Sequence, residues 1–339
     1  ATTDARRQRR AGWLFSAPAV VMIVLFLVAP MVMALYVSLL KWNGQSNPFS
    51  GVPTFVGLGN YTDLLGHDGL LRRDMATSVR NTLYYVALDV PLVTILSFGL
   101  ALVVNQQILR GRGFFRTVFY FPSITSSVAI GVTFLFLFQG NGAVNAALSL
   151  LGVDGPSWFT DSRGLIQLVL SGTGLVDPNH LPGFLGTQLF SISLWDWFAG
   201  PSVAMVAIIA LTVWSSSGTF MLFFLAGLQN IPLEVEEAAA VDGATSWQRF
   251  RRVTLPLMRR SVVLVVTLSL IGSWQVFDQV YVMSQGAPGK TTLTPAYLSY
   301  TTSFADGNFG GGASIAFVLF AIIILFTAVQ RWLGRERTP

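Results

Sequence analysis

Residues 233–250 read LEVEEAAAVDGATSWQRF and lie between two long apolar runs, 201–228 and 261–283. The stretch carries three glutamates, one aspartate and one arginine, whereas the flanking runs are almost free of charge. About 20 apolar residues in a helix cross the core of a bilayer, so each flanking run is long enough to span a membrane. The stretch is therefore predicted to be a loop that joins two transmembrane helices.

The loop itself has the pattern of a helix–turn–helix elbow. Glu, Val and Ala favour helix over residues 233–241, and Asp242-Gly243 is typical of a turn. Thr245 and Gln248 have the spacing of a capping box, which predicts a second short helix. We expect Pro256 to end that helix. Small residues at the tip would allow another protein to approach closely, although composition alone favours a solvated amphipathic loop.

Composition places the whole chain in a membrane. Of the 339 residues, 53% are hydrophobic and only 11% are charged, and the mean hydropathy is +0.60. Soluble domains carry about 25% charged residues, so too little polar surface remains here to face water. Six segments are long enough to cross a bilayer, at about 12–39, 80–105, 117–139, 201–228, 261–283 and 313–333. The predicted fold class is an all-α integral membrane protein with six transmembrane helices.

The placement of arginine predicts the orientation of these helices. With both termini in the cytoplasm, 15 of the 21 basic residues fall inside: Arg6, Arg7, Arg9, Arg10, Arg110, Arg112, Arg116, Arg249, Arg251, Arg252, Arg259, Arg260, Arg331, Arg335 and Arg337. The net charge of +5 thus follows from topology and does not indicate nucleic-acid binding. The predicted order is a cytoplasmic tail (1–11) and a polytopic domain (12–335), with outer loops at about 40–79, 140–200 and 284–312 and a cytoplasmic loop at about 229–260.

The outer segment 140–200 is the longest of the predicted loops and is rich in Gly, Pro and Asp, Asp177 among them. Loops of this length usually have a function or a structure of their own. Within it, residues 184–195 are apolar but too few to span the bilayer. We expect a short helix on the membrane surface there, with a re-entrant segment as the alternative.

The elbow resembles the EAA loop of bacterial ABC importer permeases. The matching residues are Glu237-Ala238-Ala239, Gly243 and Leu255-Pro256, while Val253 stands where that pattern usually has Ile. Further segments resemble those of carbohydrate permeases: Phe55–Tyr61 (FVGLGNY), Asn81-Thr82, Gly111–Thr117 with Phe121-Pro122, and Phe277–Met283 (FDQVYVM). The chain therefore resembles the sugar group of these permeases, of the maltose- or glycerol-phosphate-permease type.

The resemblance implies a type I importer subunit in the cell membrane of a prokaryote. Its implied partners are a second homologous permease, two copies of a cytoplasmic ABC ATPase and an extracytoplasmic solute-binding protein. ATP and Mg would be bound by the ATPase, and this chain would hold no cofactor. Coupling to the ATPase would fall on Glu237, Ala238, Ala239, Asp242, Gly243, Ala244, Leu255 and Pro256. Energy from ATP would drive alternating access by movement of helix bundles.

The solute path is expected at polar residues within the spans. Counting from the EAA motif, the sugar-lining positions of maltose-type permeases fall on Val213, Ser215, Ser216, Thr219, Ser269, Gly272, Ser273 and Val276. The hydroxyls among them suit a polyhydroxylated solute, but Ser and Thr also serve in helix packing. Trp274 is expected either to stack on a sugar or to anchor at the interface. Asp89 and Asp278 are expected either to line the path or to have structural partners.

Two other classes remain as alternatives. An ion-coupled secondary transporter would carry several intramembrane carboxylates or paired charges, whereas only Asp89 and Asp278 are present here. A membrane enzyme would need convergent catalytic groups within the helices, and none is evident. The chain has no cysteine, and its two histidines, His67 and His180, are far apart, so no metal site is expected.

The predicted topology can be tested with an impermeant thiol reagent, because the chain has no native cysteine. A cysteine at Ser157 should be labelled from outside, and one at Ser246 should be labelled only after the membrane is opened. Equal labelling of both from outside would contradict the orientation.

Overall fold

A computed structural model describes residues 2–66, 68–106, 111–172, 183 and 185–334. The orientation signals Arg110, Arg335 and Arg337, the loop residue Asp177, and both histidines, His67 and His180, lie outside the described residues. The described chain forms two compact units. One consists of residues 2–66 with 299–318, and the other of residues 68–298 with 319–334.

The smaller unit begins with one long helical run. It consists of α1 (Thr2–Ile23), a π-helical turn (Val24–Val28) and α2 (Ala29–Ser38). The tail predicted over 1–11 is thus helical from Thr2 onward. The part Ala11–Ser38 is long and apolar enough to cross a membrane, which confirms the predicted span at 12–39. Only 6% of its most apolar window is buried, so the run offers its side chains to lipid or to another subunit.

A short hairpin follows this run. Strand β1 (Leu40–Lys41) pairs antiparallel with β2 (Thr54–Phe55), and α3 spans Gly59–Leu65. The Asn60 amide donates to the carbonyl oxygens of Ser38 and Leu40 at 2.8 and 2.9 Å. These two bonds tie the start of α3 to the end of α2 and the start of β1.

The larger unit begins with α4 (Leu70–Asn105), a helix of 36 residues. At 1.5 Å per residue it is about 54 Å long, which exceeds the roughly 30 Å of a bilayer core. The helix starts at Leu70, not near residue 80. The last part of the outer loop predicted over 40–79 is therefore helical, because residues 70–79 belong to α4.

The span predicted over 117–139 is sharply bent. Helices α5 (Arg112–Ile124) and α6 (Ser127–Leu137) meet at 94°. Between them, Thr125 and Ser126 have extended backbone, with ψ of 148° and 127°. Ser and Thr side chains compete for backbone hydrogen bonds and favour helix ends, which explains why the apolar run breaks at this point.

The outer segment 140–200 has small elements of its own. These are α7 (Ala143–Leu150), α8 (Leu165–Gly172), the antiparallel strands β3 (Gln188–Leu189) and β4 (Ile192–Ser193), and α9 (Leu194–Trp197). The surface helix expected over 184–195 is wrong, because residues 188–193 form a hairpin and helix begins only at Leu194. Both turn residues, Phe190 and Ser191, have positive φ, of 52° and 62°. Positive φ at both central residues is typical of the two-residue hairpin turn whose twist matches that of the strands.

The central helix of the larger unit is α10 (Val203–Gln229), which confirms the span predicted over 201–228. The Ser202 hydroxyl caps it by accepting a hydrogen bond from Met205 N at 3.2 Å. Five helices of different lengths follow α10: α11 (Leu233–Val241), α12 (Ser246–Arg249), α13 (Leu255–Leu257), α14 (Arg259–Trp274) and α15 (Asp278–Met283). A π-helical turn, Phe250–Thr254, joins α12 to α13.

The predicted helix 261–283 is also broken. Residues 275–277 separate α14 from α15, and Phe277 has φ −136° and ψ −60°. The break frees backbone groups that lipid cannot satisfy. One of them, the carbonyl of Val276, accepts a hydrogen bond from the buried Thr294 hydroxyl at 3.0 Å. A side chain from the following outer segment thus stabilises the break.

The chain ends with α16 (Pro295–Tyr300), a π-helical turn (Thr301–Ala305) and α17 (Phe309–Gly334). The predicted span 313–333 is confirmed within Phe309–Leu333. Among the described residues, four helices are long and apolar enough to cross a membrane, and six spans result if each bent pair of helices counts as one. The pairs are α5 with α6, and residues 246–257 with α14, which are bent by 63°.

The core of the larger unit lies where α4, α5, α10 and α14 meet. Its buried side chains are Ala101, Val104, Met221, Phe224, Leu225, Leu228, Met258 and Val265. Phe98 of α4 packs edge-to-face on Phe224 of α10, with 5.1 Å between ring centroids. Gly218 of α10 lies directly against the backbone of α5. A Cβ at this position would meet Phe119 O and lie 2.8 Å from Tyr120 Cα. The absence of a side chain lets the two helices touch.

We expect Gly218→Ala to destabilise the protein by about 1–3 kcal/mol, because the added methyl overpacks a backbone contact that must shift to admit it. The matched control is Gly99→Ala in α4, where nothing lies within 4 Å of the new Cβ and where alanine should be neutral or slightly stabilising. Thermal unfolding of both variants in detergent measures the difference. Equal midpoints would contradict a tight contact at Gly218.

Candidate functional site

The first helix of the elbow ends in a glycine cap. Gly243 has φ +76°, and its N–H donates to Ala240 O at 3.1 Å, while Ala244 N donates to Ala239 O at 3.0 Å. This pair of bonds is the Schellman motif, in which a residue in the left-handed region closes a helix. The predicted turn at Asp242-Gly243 is therefore the end of α11, and glycine suits it because other residues rarely adopt this φ.

The second helix of the elbow starts as predicted and ends differently. Thr245 and Gln248 form the capping box: Thr245 N donates to Gln248 Oε1 at 2.8 Å, and Gln248 N donates to Thr245 Oγ1 at 3.3 Å. The expectation that Pro256 ends this helix is wrong. The π-helical turn before α13 accommodates a residue without an N–H, and the chain bends only after Leu257.

The elbow presents its tip to solvent. Of the predicted coupling residues, Glu237, Ala238, Asp242, Gly243, Leu255 and Pro256 are exposed, and Ala239 and Ala244 are half-buried. Two large apolar side chains, Val241 and Trp247, are 88% and 66% exposed. Sequence reasoning missed both, although an apolar residue on each side of an Asp-Gly turn was visible. Exposed apolar groups beside small residues are typical of a protein-docking surface.

A cavity of about 350 Å³ lies between α4, α10, α14 and the break before α15; we call it the serine cavity. Seven predicted residues line it: Asp89, Ser216, Ser269, Gly272, Ser273, Val276 and Asp278. A neighbouring cavity of about 290 Å³, the side cavity, is lined by Ser215, Ser216 and Thr219. The two cavities share Ser216, Phe220 and Gln279. The structure thus brings the predicted hydroxyls together in one region.

Two predicted residues, Val213 and Trp274, line neither cavity. The Trp274 side chain is completely buried and packs on Phe326 of α17, with 5.0 Å between ring centroids. Both expectations for this residue, stacking on a solute and anchoring at the interface, differ from this placement. Ser273 and Trp274 are neighbours in α14, and neighbouring residues on a helix do not share a face. Since the Ser273 side chain lines the cavity, the Trp274 side chain points away from it.

Asp89 is bound to α14 through a serine. Its carboxylate is buried, and the Ser273 hydroxyl donates to Oδ2 at 2.6 Å. Ser273 Oγ also lies 2.7 Å from Ser269 O, and a hydroxyl with one hydrogen can donate to only one of these acceptors at a time. The other carboxylate oxygen, Oδ1, has no hydrogen-bond partner among the described residues. The structure therefore gives Asp89 a structural partner and also places it at the cavity wall.

Asp278 begins α15 at the helix break and is exposed. Its Oδ2 accepts a hydrogen bond from the Ser127 hydroxyl of α6 at 2.9 Å. The break also brings two amides to the cavity wall, Gln275 and Gln279. Sequence reasoning missed both amides because it expected an unbroken helix there.

Ser123 of α5 connects that helix to α10 beside the side cavity. Its hydroxyl donates to Ser215 O at 2.6 Å and accepts from Thr219 N at 3.1 Å. These are the acceptor and donor one turn apart on α10, so the serine bridges them where Gly218 allows close approach. Two predicted path residues are thus held by a side chain that the sequence did not single out.

A third and larger cavity, of about 480 Å³, lies at the N-terminal end of α4, which the predicted topology places outside; we call it the outer cavity. Arg73, Arg80 and Lys290 line it, with Asp74 and Asp196. Lys290 pairs with Asp74 at 2.8 Å. Nearby, Arg163 donates to both carboxylate oxygens of Asp161 and holds the pKa of that carboxyl below its usual value.

Residues 80–338 match the family described as the inner membrane component of binding-protein-dependent transport systems. The chain belongs to this family. It is 29% identical over 331 residues to the lactose transport system permease protein LacF of Rhizobium radiobacter, covering 96% of this chain and 94% of that protein. It is 28% identical over 332 residues to the trehalose/maltose transport system permease protein MalF of Thermococcus litoralis, covering 98% and 96%.

The fold of this permease is also that of a solved importer. The crystal structure of a bacterial ABC transporter for the acidic polysaccharide alginate has a TM-score of 0.71 and 19% identity, and the match covers 99% of this chain and 100% of that chain. The predicted type I permease fold and the inner-membrane location are confirmed. The chain is a transmembrane subunit of an importer and not an enzyme, and the ion-coupled alternative is not favoured.

The Asp89–Ser273 contact predicts a non-additive pair of variants. Ser273→Ala should cost about 1–3 kcal/mol, because it leaves a buried carboxyl without its donor. The double variant Asp89→Leu/Ser273→Ala should lose less than the sum of the single variants, since removing both partners leaves no buried polar group unpaired. Thermal unfolding of the purified permease tests this, and additive losses would contradict the contact.

Proposed function

We propose that this permease is one of two transmembrane subunits of an ATP-driven importer for a sugar or sugar-like solute. The single observation that carries the proposal is the cluster of hydroxyl and amide groups around two adjoining cavities inside an importer fold. Such groups hydrogen-bond the hydroxyls of a carbohydrate in a setting where water is scarce. The names of the relatives, which transport lactose and trehalose/maltose, support the same class of solute.

In this proposal, the elbow is the surface that binds the ATPase. Its exposed tip, with Gly243 between Val241 and Trp247, seats in a cleft of a cytoplasmic ATPase. Tryptophan is among the residues that contribute most to protein interfaces, and glycine at the turn lets the partner approach the backbone. Two copies of the ATPase bind ATP and Mg, and their closure moves this permease and a second homologous permease between inward- and outward-facing states.

The solute enters from an extracytoplasmic binding protein in the same proposal. The alginate transporter among the structural neighbours was also solved with its periplasmic protein bound, at a TM-score of 0.67 to this chain. Hydroxyls at Ser215, Ser216, Thr219, Ser269 and Ser273 line the path together with Asp89 and Asp278. Trp274 lines neither cavity and packs on Phe326, so it is left out of this path.

The coupling role predicts that Gly243→Leu reduces ATP-dependent uptake of labelled carbohydrate at least tenfold in liposomes that contain the full complex. Leucine at φ +76° strains the turn by about 1–2 kcal/mol and adds bulk at the contact. Gly243→Asn is the matched control, because asparagine tolerates this backbone conformation and should retain most uptake.

Membrane content and co-purification with the second permease should be unchanged in Gly243→Leu, because no atom lies within 4 Å of the added Cβ. Wild-type uptake by this variant would contradict the coupling role. A wild-type complex that takes up no carbohydrate in the presence of ATP would contradict the proposed solute.

A further inference from the structure

The serine and side cavities are lined by carboxyl groups and by no basic side chain among the described residues. Among the described residues that line the serine and side cavities, the ionisable acids are Asp89 and Asp278, and no Lys, Arg or His is present. The outer cavity differs, because Arg73, Arg80 and Lys290 line it together with its two aspartates. Positive groups therefore line the outer cavity, whereas none of the described residues that line the two intramembrane cavities is positive.

Asp278 is the exposed carboxylate of the serine cavity. It is exposed at the helix break, and its hydrogen-bond partner is the neutral Ser127 hydroxyl at 2.9 Å. In the part of the chain that the structure describes, no Lys or Arg forms an ion pair with it. Its negative charge is thus not neutralised inside the cavity.

Asp89 adds a second acid on the opposite wall. Its side chain is only 2% exposed, and Oδ1 has no hydrogen-bond partner in the described chain. The side chain belongs to α4 and Asp278 to the start of α15, so the serine cavity lies between them. The exposed Asp278 carboxylate supplies the negative charge of this wall, and the described lining residues include no base to offset it, so an anion in the cavity is repelled.

We propose that these cavities accept neutral hydroxylated carbohydrates and exclude anionic ones, such as uronates and sugar phosphates. The inference rests on the proposed function and names the solute class for the same site. Gln275, Gln279 and the cavity serines provide donors and acceptors without net charge, which suits neutral hydroxyl groups. Specificity here comes from repulsion of the wrong solute as well as from contacts to the right one.

The test measures binding to the purified complex of both permeases and the ATPase, without the binding protein, so that only the membrane site selects. The probes are a radiolabelled neutral trisaccharide and, as competitors, an oligouronate of the same length and a hexose phosphate. We expect the neutral sugar to bind at least tenfold more tightly than either anion. Asp278→Asn should reduce this preference at least threefold, and Asp154→Asn, an exposed change outside both cavities, should leave it unchanged.

Tighter binding of the oligouronate or the hexose phosphate than of the neutral sugar would overturn the inference and leave carbohydrate import intact. An unchanged preference in Asp278→Asn would overturn the role of this carboxylate as the source of selectivity. If none of the three probes binds and the liposomes take up no carbohydrate, the proposed function itself fails, and this inference fails with it.

Discussion

Every backbone N–H and C=O in the hydrocarbon region must find a partner within the protein, because lipid offers none. This constraint turns each long apolar run of the chain into helix, and it also decides where helices can be interrupted. At the break before α15, the carbonyl of Val276 accepts from Thr294. At the contact of α5 with α10, the Ser123 hydroxyl serves one carbonyl and one N–H. The polar groups that line the cavities lie beside these two places, so the site depends on how the backbone is satisfied.

Local chemistry predicted the parts of the fold that depend on neighbours in sequence. The spans at 12–39, 201–228 and 313–333 followed from apolar length alone. The cap at Thr245 with Gln248 and the turn at Gly243 followed from short-range hydrogen bonding. The capping box and the glycine turn do not depend on the rest of the chain, because each is specified within a few residues.

Long-range packing determined what the sequence could not reveal. The 94° bend between α5 and α6 and the break at 275–277 interrupt runs whose hydropathy is continuous. The hairpin at 188–193 replaces an expected helix in an apolar stretch. For the site, the positions of the serines were predictable from their place relative to the elbow, whereas Gln275 and Gln279 reach the cavity only because the helix breaks. The Trp274 side chain points away from the cavity because α14 is still a regular helix at that residue.

The helical run Ala11–Ser38 has a different kind of consequence. Because only 6% of its most apolar window is buried within the chain, few of its side chains have a partner here whose shape they must match. Hydropathy and length are then the main requirements on these residues, and many sequences meet them. Exchanges among Leu, Val, Ile, Phe and Met on the side of this run that meets lipid should therefore cost little stability. The family model begins at residue 80 and so does not include this run, whereas the matches to the two relatives cover 96% and 98% of the chain and extend into it.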